Sequence, residues 1–431
     1  MRDLLLLGVL PFLVYFALKR PIISLSLWLW TSLVPMQQWS YGMATSVRWN
    51  LMFAACTLLG ILFQKKEYDF RASGLLFLVL LFFFHNTMST VLSEADSKYI
   101  WQRWENYFKA IIFFFVCCSM LRQKIHFEAV MCACLMSVLV IAGLDAVKFI
   151  ISGGGHNING ISSTFNDNNL SALATLMCIP MCLYLLTQYK QYTLLKYILF
   201  GFILGSVMFV LGSDSRGGFL GLVVLTIYYI LNSERKMFLI VMVSIIAIGA
   251  LSVMGDEWFN RMDSIKSADE DSSFMGRVIS WKLSLLLAIE NPFFGGGFDA
   301  IIDIPTWEAL KQSFDKVSFI PSPEPHIPHV AHSTYFQVLG NQGFLGIFIF
   351  ALMLMKTTSS FSKVKKQAEK GSWLYHAAFF SKISIVVFMV SGAALNFAYR
   401  EILLVYFAFA VCLEIVAKDN MKKEQKAVAL D

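Results

Sequence analysis

Apolar residues fall into long runs separated by short polar breaks, at 4–18, 22–36, 49–64, 72–92, 107–121, 127–151, 170–186, 196–212, 219–231, 237–254, 343–355, 377–397 and 402–416. Runs of this length suit helices crossing a hydrocarbon core of about 30 Å. Lipid offers backbone N–H and C=O groups no partner, so each run is expected to bond within itself as a helix. Barrel strands would alternate with period two, and LLFLVLLFFF at 75–84 does not. The pattern predicts an all-α polytopic membrane protein of 12 or 13 spans. The count depends on whether the first two runs are separate or one element broken at Lys19-Arg20-Pro21.

Two polar stretches interrupt this pattern. One is 255–342, about 88 residues and far longer than an ordinary connection. The other is the glycine- and asparagine-rich segment from Gly153 to Asn169. The expected organisation is an N-terminal transmembrane bundle (1–254), a catalytic loop (255–342), C-terminal transmembrane helices (343–417) and a tail (418–431). With the long loop outside, the inner short loops and tail hold 21 lysines and arginines and the outer short loops hold 8. The inner set includes Lys65 and Lys66, and the outer set Arg2, Arg48, Arg103, Lys109 and Arg400. Basic residues favour the cytoplasmic side, so the long loop is expected in the periplasm and the C-terminus in the cytoplasm.

Composition agrees: 57% of residues are apolar and 15% charged, against about 25% charged in soluble domains. The +6 formal charge is read as membrane orientation, because no basic run with interleaved aromatics suggests nucleic-acid binding. All eight cysteines lie in apolar segments, where cysteine behaves as a small hydrophobe. The apolar start, Leu4 to Leu18, has no small-residue cleavage site after it and is expected to be retained. Trp28, Trp30, Trp39, Trp49, Trp101 and Trp104 lie near predicted interfaces, as an aromatic belt would.

Candidate chemistry gathers on the expected outer face. Ser213-Asp214-Ser215-Arg216-Gly217-Gly218 sits between two apolar runs with almost no loop. Charge so near hydrocarbon should face protein or a wet cavity. An arginine fork suits pyrophosphate, and the adjoining glycines would let backbone approach a ligand. A tight turn with Arg216 at the headgroups and Asp214 beside it explains the same residues. Arg277 and Trp281 lie on a predicted amphipathic helix, followed by Asn291-Pro292-Phe293-Phe294-Gly295-Gly296-Gly297, a strong turn signal. Arg277 is a second candidate phosphate clamp or a surface charge. His326, His329 and His332 close the loop, but Pro325 and Pro328 break any helix through the first two, and no metal is expected. His332 directly precedes a re-entering helix, where nearby arginines should depress its pKa and favour the neutral base. The tract Asn166-Asp167-Asn168-Asn169 offers amides to sugar hydroxyls or caps the next helix. Arg48, Arg103, Lys109, Lys148 and Arg400 add an electrostatic funnel for an anionic substrate.

Four motifs in order, SRGGFLGL at 215–222, GR…W at 276–281, NPFFGGGFD at 291–299 and HSTYFQVLGNQGFLG at 332–346, resemble the O-antigen ligase/polymerase superfamily. MRDLLLLG, KRP, WLWTSLVP and FNDNNLSALA resemble the N-terminal region of O-glycosylation ligases that accompany exosortase systems. The resemblance implies transfer of a glycan from an undecaprenyl diphosphate carrier to a hydroxyl acceptor, either lipid A core or a protein. It implies that Arg216 and Arg277 hold the diphosphate and that His332 activates the acceptor. Where the family often has asparagine after that histidine, this chain has Ser333.

The combined expectation is an inverting, cofactor-free and metal-independent glycan ligase of the bacterial inner membrane. His332, Arg216 and Arg277 are the expected catalytic residues. Ser215, Gly217, Arg48, Asn168, Asn169, Tyr335 and Arg400 are the expected substrate contacts. A repeat-unit polymerase of the same superfamily is one rival. A lipid or solute transporter is another, with Asp145 and His85 as its mid-span polar candidates. Lys148, one turn from Asp145, should neutralise it.

Overall fold

The computed structural model describes residues 2–63, 71–162, 164–252, 258, 272–319 and 321–428. Lys65, Lys66 and residues 255–257 and 259–271 of the long loop lie outside the described residues, as does the side chain of Arg2. Among the described residues every regular element is a helix. The N-terminal set is α1 (Arg2–Lys19), α2 (Pro21–Leu33), α3 (Trp49–Phe63), α4 (Gly74–Val91), α5 (Ser97–Met120), α6 (Lys124–Ile151) and α7 (Asn168–Gln188). It continues with α8 (Thr193–Gly212), α9 (Arg216–Leu231) and α10 (Lys236–Leu251). The long polar stretch contributes α11 (Ser272–Glu290) and α12 (Ile304–Gln312), and the chain closes with α13 (Thr334–Gln367), α14 (Trp373–Ser391) and α15 (Glu401–Val428).

Each apolar run maps onto one helix. Six helices are long and apolar enough to cross a membrane, and α2, α3, α9 and α10 are shorter apolar helices. The chain is an all-α polytopic membrane protein. The first two runs are separate: Arg20 is extended between α1 and α2, and Pro21 opens α2, where its missing N–H costs nothing. Two boundaries differ from the apolar pattern. Helix α5 begins ten residues before the 107–121 run, because Asp96 caps Lys98 N–H at 3.1 Å. A half-polar amphipathic end can extend a helix beyond its apolar stretch. Helix α13 likewise begins at Thr334, capped by Ser333, and continues past 355 to Gln367.

Helix α15 is apolar on every side from Ile402 to Leu413 and buried throughout that length, the pattern of a core helix. Helices α2, α4, α5, α13 and α14 surround it. On α1 and α10, Leu4, Leu5, Phe12, Ile245 and Ile248 are exposed, as lipid-facing positions would be. Helix α9 packs tightly against α7 and α14. A Cβ on Gly218 would lie 2.9 Å from the Ala172 methyl, and one on Gly217 3.1 Å from the Ala394 methyl. These glycines allow close helix approach.

One membrane helix is broken. Within α13, Gly343 has φ 66° and ψ −169°, a conformation only glycine adopts cheaply. Backbone groups freed at membrane depth need partners, and the NPFFGGG turn supplies them. Gly296 and Gly297 N–H donate to the carbonyls of Gly340 and Asn341 at 3.0 Å each, and Phe344 N–H donates to Pro292 at 2.8 Å. From α4, Ser89 donates to the Asn341 carbonyl at 2.7 Å, and a His85 ring nitrogen lies 2.9 Å from that of Gln342. The His85 ring also stacks on Phe294. His85 is thus part of the scaffold of this break. Asp145 pairs with Lys148 at 2.8 Å, as its spacing led us to expect, with a His156 nitrogen 3.5 Å away.

Candidate functional site

Alternate connections meet at one end of the bundle: the segments after α2, α4, α6, α8 and α14, and the stretch from α11 to His332. Between them lies a cavity of about 620 Å³. Its wall draws on α2 and α5 (Trp28, Arg103, Asn106, Lys109), on the tract before α7 (Asn166, Asp167, Asn169) and on the turn after NPFFGGG (Phe298, Asp299). His332 and Gln337, then Tyr399 and Arg400 before α15 and Glu401 at its start, complete it.

His332 is held in a left-handed backbone conformation, φ 45°, uncommon for a residue with a side chain and a mark of local constraint. Its flanks are fixed. Trp281 of α11 donates its indole N–H to the Ala331 carbonyl at 2.7 Å and stacks on Phe336 at 5.2 Å. On the other side, Ser333 N–H donates to Asn396 at 3.0 Å, and the Thr334 hydroxyl donates to the Leu395 carbonyl. Burial, then Arg277, push the His332 pKa below its ordinary value. Asp167 opposes them and His329 adds to the lowering. The neutral imidazole is therefore favoured at neutral pH.

The Ser215–Arg216 turn is tied to the same wall. The Ser215 hydroxyl caps α9 by accepting from Gly218 N–H at 3.0 Å and donates to Asn169 at 2.7 Å. Asn168 donates to the Ser213 carbonyl at 2.7 Å, and Asp167 caps α7 through Leu170 N–H at 2.8 Å. The asparagine tract thus acts as cap and clasp, with Asn169 also lining the cavity. Arg216 and Arg277 are half-buried; neither lines the cavity.

The structure gathers His332, Asn169 and Arg400 on the cavity and sets Arg277, Ser215 and Asn168 next to it. Others it leaves outside. The Tyr335 hydroxyl donates to the Met389 carbonyl within the bundle, Arg48 is exposed away from the lining, and Gly217 packs on Ala394 and Leu395. His326 and His329 are exposed. No three His, Cys, Asp or Glu side chains among the described residues are placed to hold a metal. Sequence reasoning missed Asp299, at φ 52°. Its carboxylate faces Arg103 at 3.8 Å and accepts from Gln337 at 3.3 Å, and its N–H donates to Asn341 at 3.0 Å. Its place at the end of the glycine turn was the available signal.

Two stretches of the chain match known families. Residues 200–351 match the family described as O-Antigen ligase. The chain carries an O-antigen ligase domain. That match supports a ligase/polymerase-type membrane enzyme of the O-antigen ligase-like superfamily. Residues 1–190 match a second family, of unknown function (DUF5935). Comparison with curated proteins gives no match. Most of the cavity wall comes from the DUF5935 half, while the O-antigen ligase domain contributes His332, Asp299 and Gln337.

Proposed function

We propose that this cavity transfers a glycan from a polyprenyl diphosphate carrier, undecaprenyl diphosphate, to a hydroxyl acceptor at the periplasmic face. The observation that carries the proposal is the placement of His332 on the cavity with Arg277 acting on it. Neutral His332 accepts the proton of the acceptor hydroxyl as its oxygen attacks the anomeric carbon. General-base assistance of this kind is worth about 100- to 10,000-fold. The bond from that carbon to the diphosphate oxygen breaks, with inversion. Arg277 and Arg216 stabilise the charge arriving on the leaving diphosphate, so that no metal is required. Chemistry on a carrier suits a compartment without nucleotides. Lipid A core and a protein are both acceptors this reaction accommodates.

A test of the donor half uses inorganic pyrophosphate and the purified protein. Wild type should bind it, while Arg216→Ala and Arg277→Ala should each weaken binding about tenfold or more, the scale of a lost charge-assisted contact. Equal binding by all three proteins would remove the arginines from the donor site.

A further inference from the structure

Six charged side chains line the cavity besides His332: Arg103, Lys109, Arg400, Asp167, Asp299 and Glu401. Five are engaged. Arg103 donates to the Tyr99 hydroxyl and faces Asp299, Lys109 pairs with Glu105 at 2.7 Å, and Glu401 accepts from the Ser32 hydroxyl at 3.1 Å. Asp167 caps α7, and Asp299 accepts from Gln337. Arg400 is the exception: its guanidinium makes no hydrogen bond or ion pair within 4 Å among the described residues. The charges that act on it are Glu401, Arg103, Asp299 and Asp167, and burial lowers its pKa below the ordinary arginine value. A half-buried guanidinium with all five donors unspent is unfavourable unless a ligand or water meets it.

Resting on the proposed glycan transfer, we propose that Arg400 binds a carboxylate-bearing sugar of the glycan, with the DUF5935 half as the surrounding recognition wall. The guanidinium fork matches a carboxylate in two parallel hydrogen bonds. The neighbouring wall has residue types suited to a sugar: the aromatic Trp28 and Tyr107 and the amides Asn106 and Asn166 line it. The diphosphate is a weaker match for Arg400. The charge of Arg277 bears on His332, whereas Arg400 sits among Glu401, Arg103, Asp299 and Asp167. In this subsite the domain of unknown function supplies most of the wall around the acid-selecting Arg400.

The test is binding to the purified full-length protein in nanodiscs, with trigalacturonate, neutral maltotriose and inorganic pyrophosphate as probes. Wild type should bind trigalacturonate at least about tenfold more tightly than maltotriose. Arg400→Gln should erase that preference while leaving pyrophosphate binding unchanged, and Arg400→Lys, which keeps the charge but not the fork, should retain part of it. Equal binding of the two trisaccharides by wild type would overturn the proposal, as would a preference that survives Arg400→Gln. Loss of pyrophosphate binding in Arg400→Gln would also overturn it, by moving Arg400 to the diphosphate. Pyrophosphate binding indifferent to Arg216 would count against the transfer reading alone.

Discussion

Gly221→Ala is the perturbation whose consequence is most directly worked from the packing. Gly221 faces Ser391 of α14 and Leu176 of α7. An added Cβ would overlap the Ser391 hydroxyl, approach the Ser391 Cβ at 3.3 Å and lie 2.8 Å from a Leu176 methyl. Leu176 can yield by rotation, but the Ser391 side chain has only one χ angle. The Ser391 hydroxyl can swing aside about that angle, but its Cβ at 3.3 Å cannot, so α9 and α14 must part by a few tenths of an ångström. Overpacking of this kind costs about 1–3 kcal/mol, roughly 5- to 150-fold in an unfolding equilibrium. Arg216 is the first residue of α9, so the same shift displaces it. A misplacement of about 1 Å at a catalytic group costs about 100-fold in rate, so this smaller shift at Arg216, in its proposed role, should lower transfer by less than that. The assay pairs thermal unfolding in detergent with glycan transfer in cells at matched protein level. Ser391→Gly removes the obstructing side chain, so the double variant Gly221→Ala/Ser391→Gly should regain most of both. A Gly221→Ala protein with wild-type stability and transfer would refute the reasoning, and so would a double variant no better than the single one.

Other outcomes follow from the same structure. Because the folded-state pKa of His332 is depressed, the unfolded chain binds its proton more readily. The resulting stability is complete above about pH 6.5 and declines as pH falls below that value. Transfer should fall over the same acid range, and an acid limb lying above pH 7 would contradict the base assignment. Arg277→Gln should shift the His332 titration upward, read by NMR of ring-labelled histidine, since Arg277 lowers that pKa. Gly343→Ala places a side chain at φ 66° with its Cβ 2.5 Å from the Pro292 carbonyl oxygen. It should lose more than about 2 kcal/mol, visible as a lower melting temperature in detergent. Trp281→Phe keeps a ring against Phe336 but deletes the donor to Ala331. It should cost transfer more than stability, the latter by about 1 kcal/mol.

The helices were legible because lipid forces each apolar run to satisfy its own backbone, and all thirteen runs correspond to helices. Polar helical ends were not: Ser97 to Asn106 of α5 reads as a loop by hydropathy, yet it carries Arg103 and Asn106 into the cavity. His332 was legible from its position before a re-entering helix, and Asn169 from its amide-rich tract. Tyr335 and Gly217 share the motifs of His332 and Arg216, but their positions on the helix turn them toward Met389 and toward Ala394. Proximity in sequence cannot distinguish those faces without the packing. Arg400 was legible as an outer-face charge, but Asp299, and the lack of a partner for Arg400 among the described residues, emerge only when α5, the glycine turn and the start of α15 meet in space.

The most direct test of glycan transfer at this cavity compares carrier-linked and acceptor-linked glycans in a deletion strain. The strain is complemented with wild type or with His332→Ala at equal membrane abundance. The account predicts full-length glycan accumulating on the carrier with His332→Ala and none on the acceptor, restored by wild type. Single repeat units on the carrier would instead identify a polymerase. An unchanged glycan profile would contradict the account and favour a transporter.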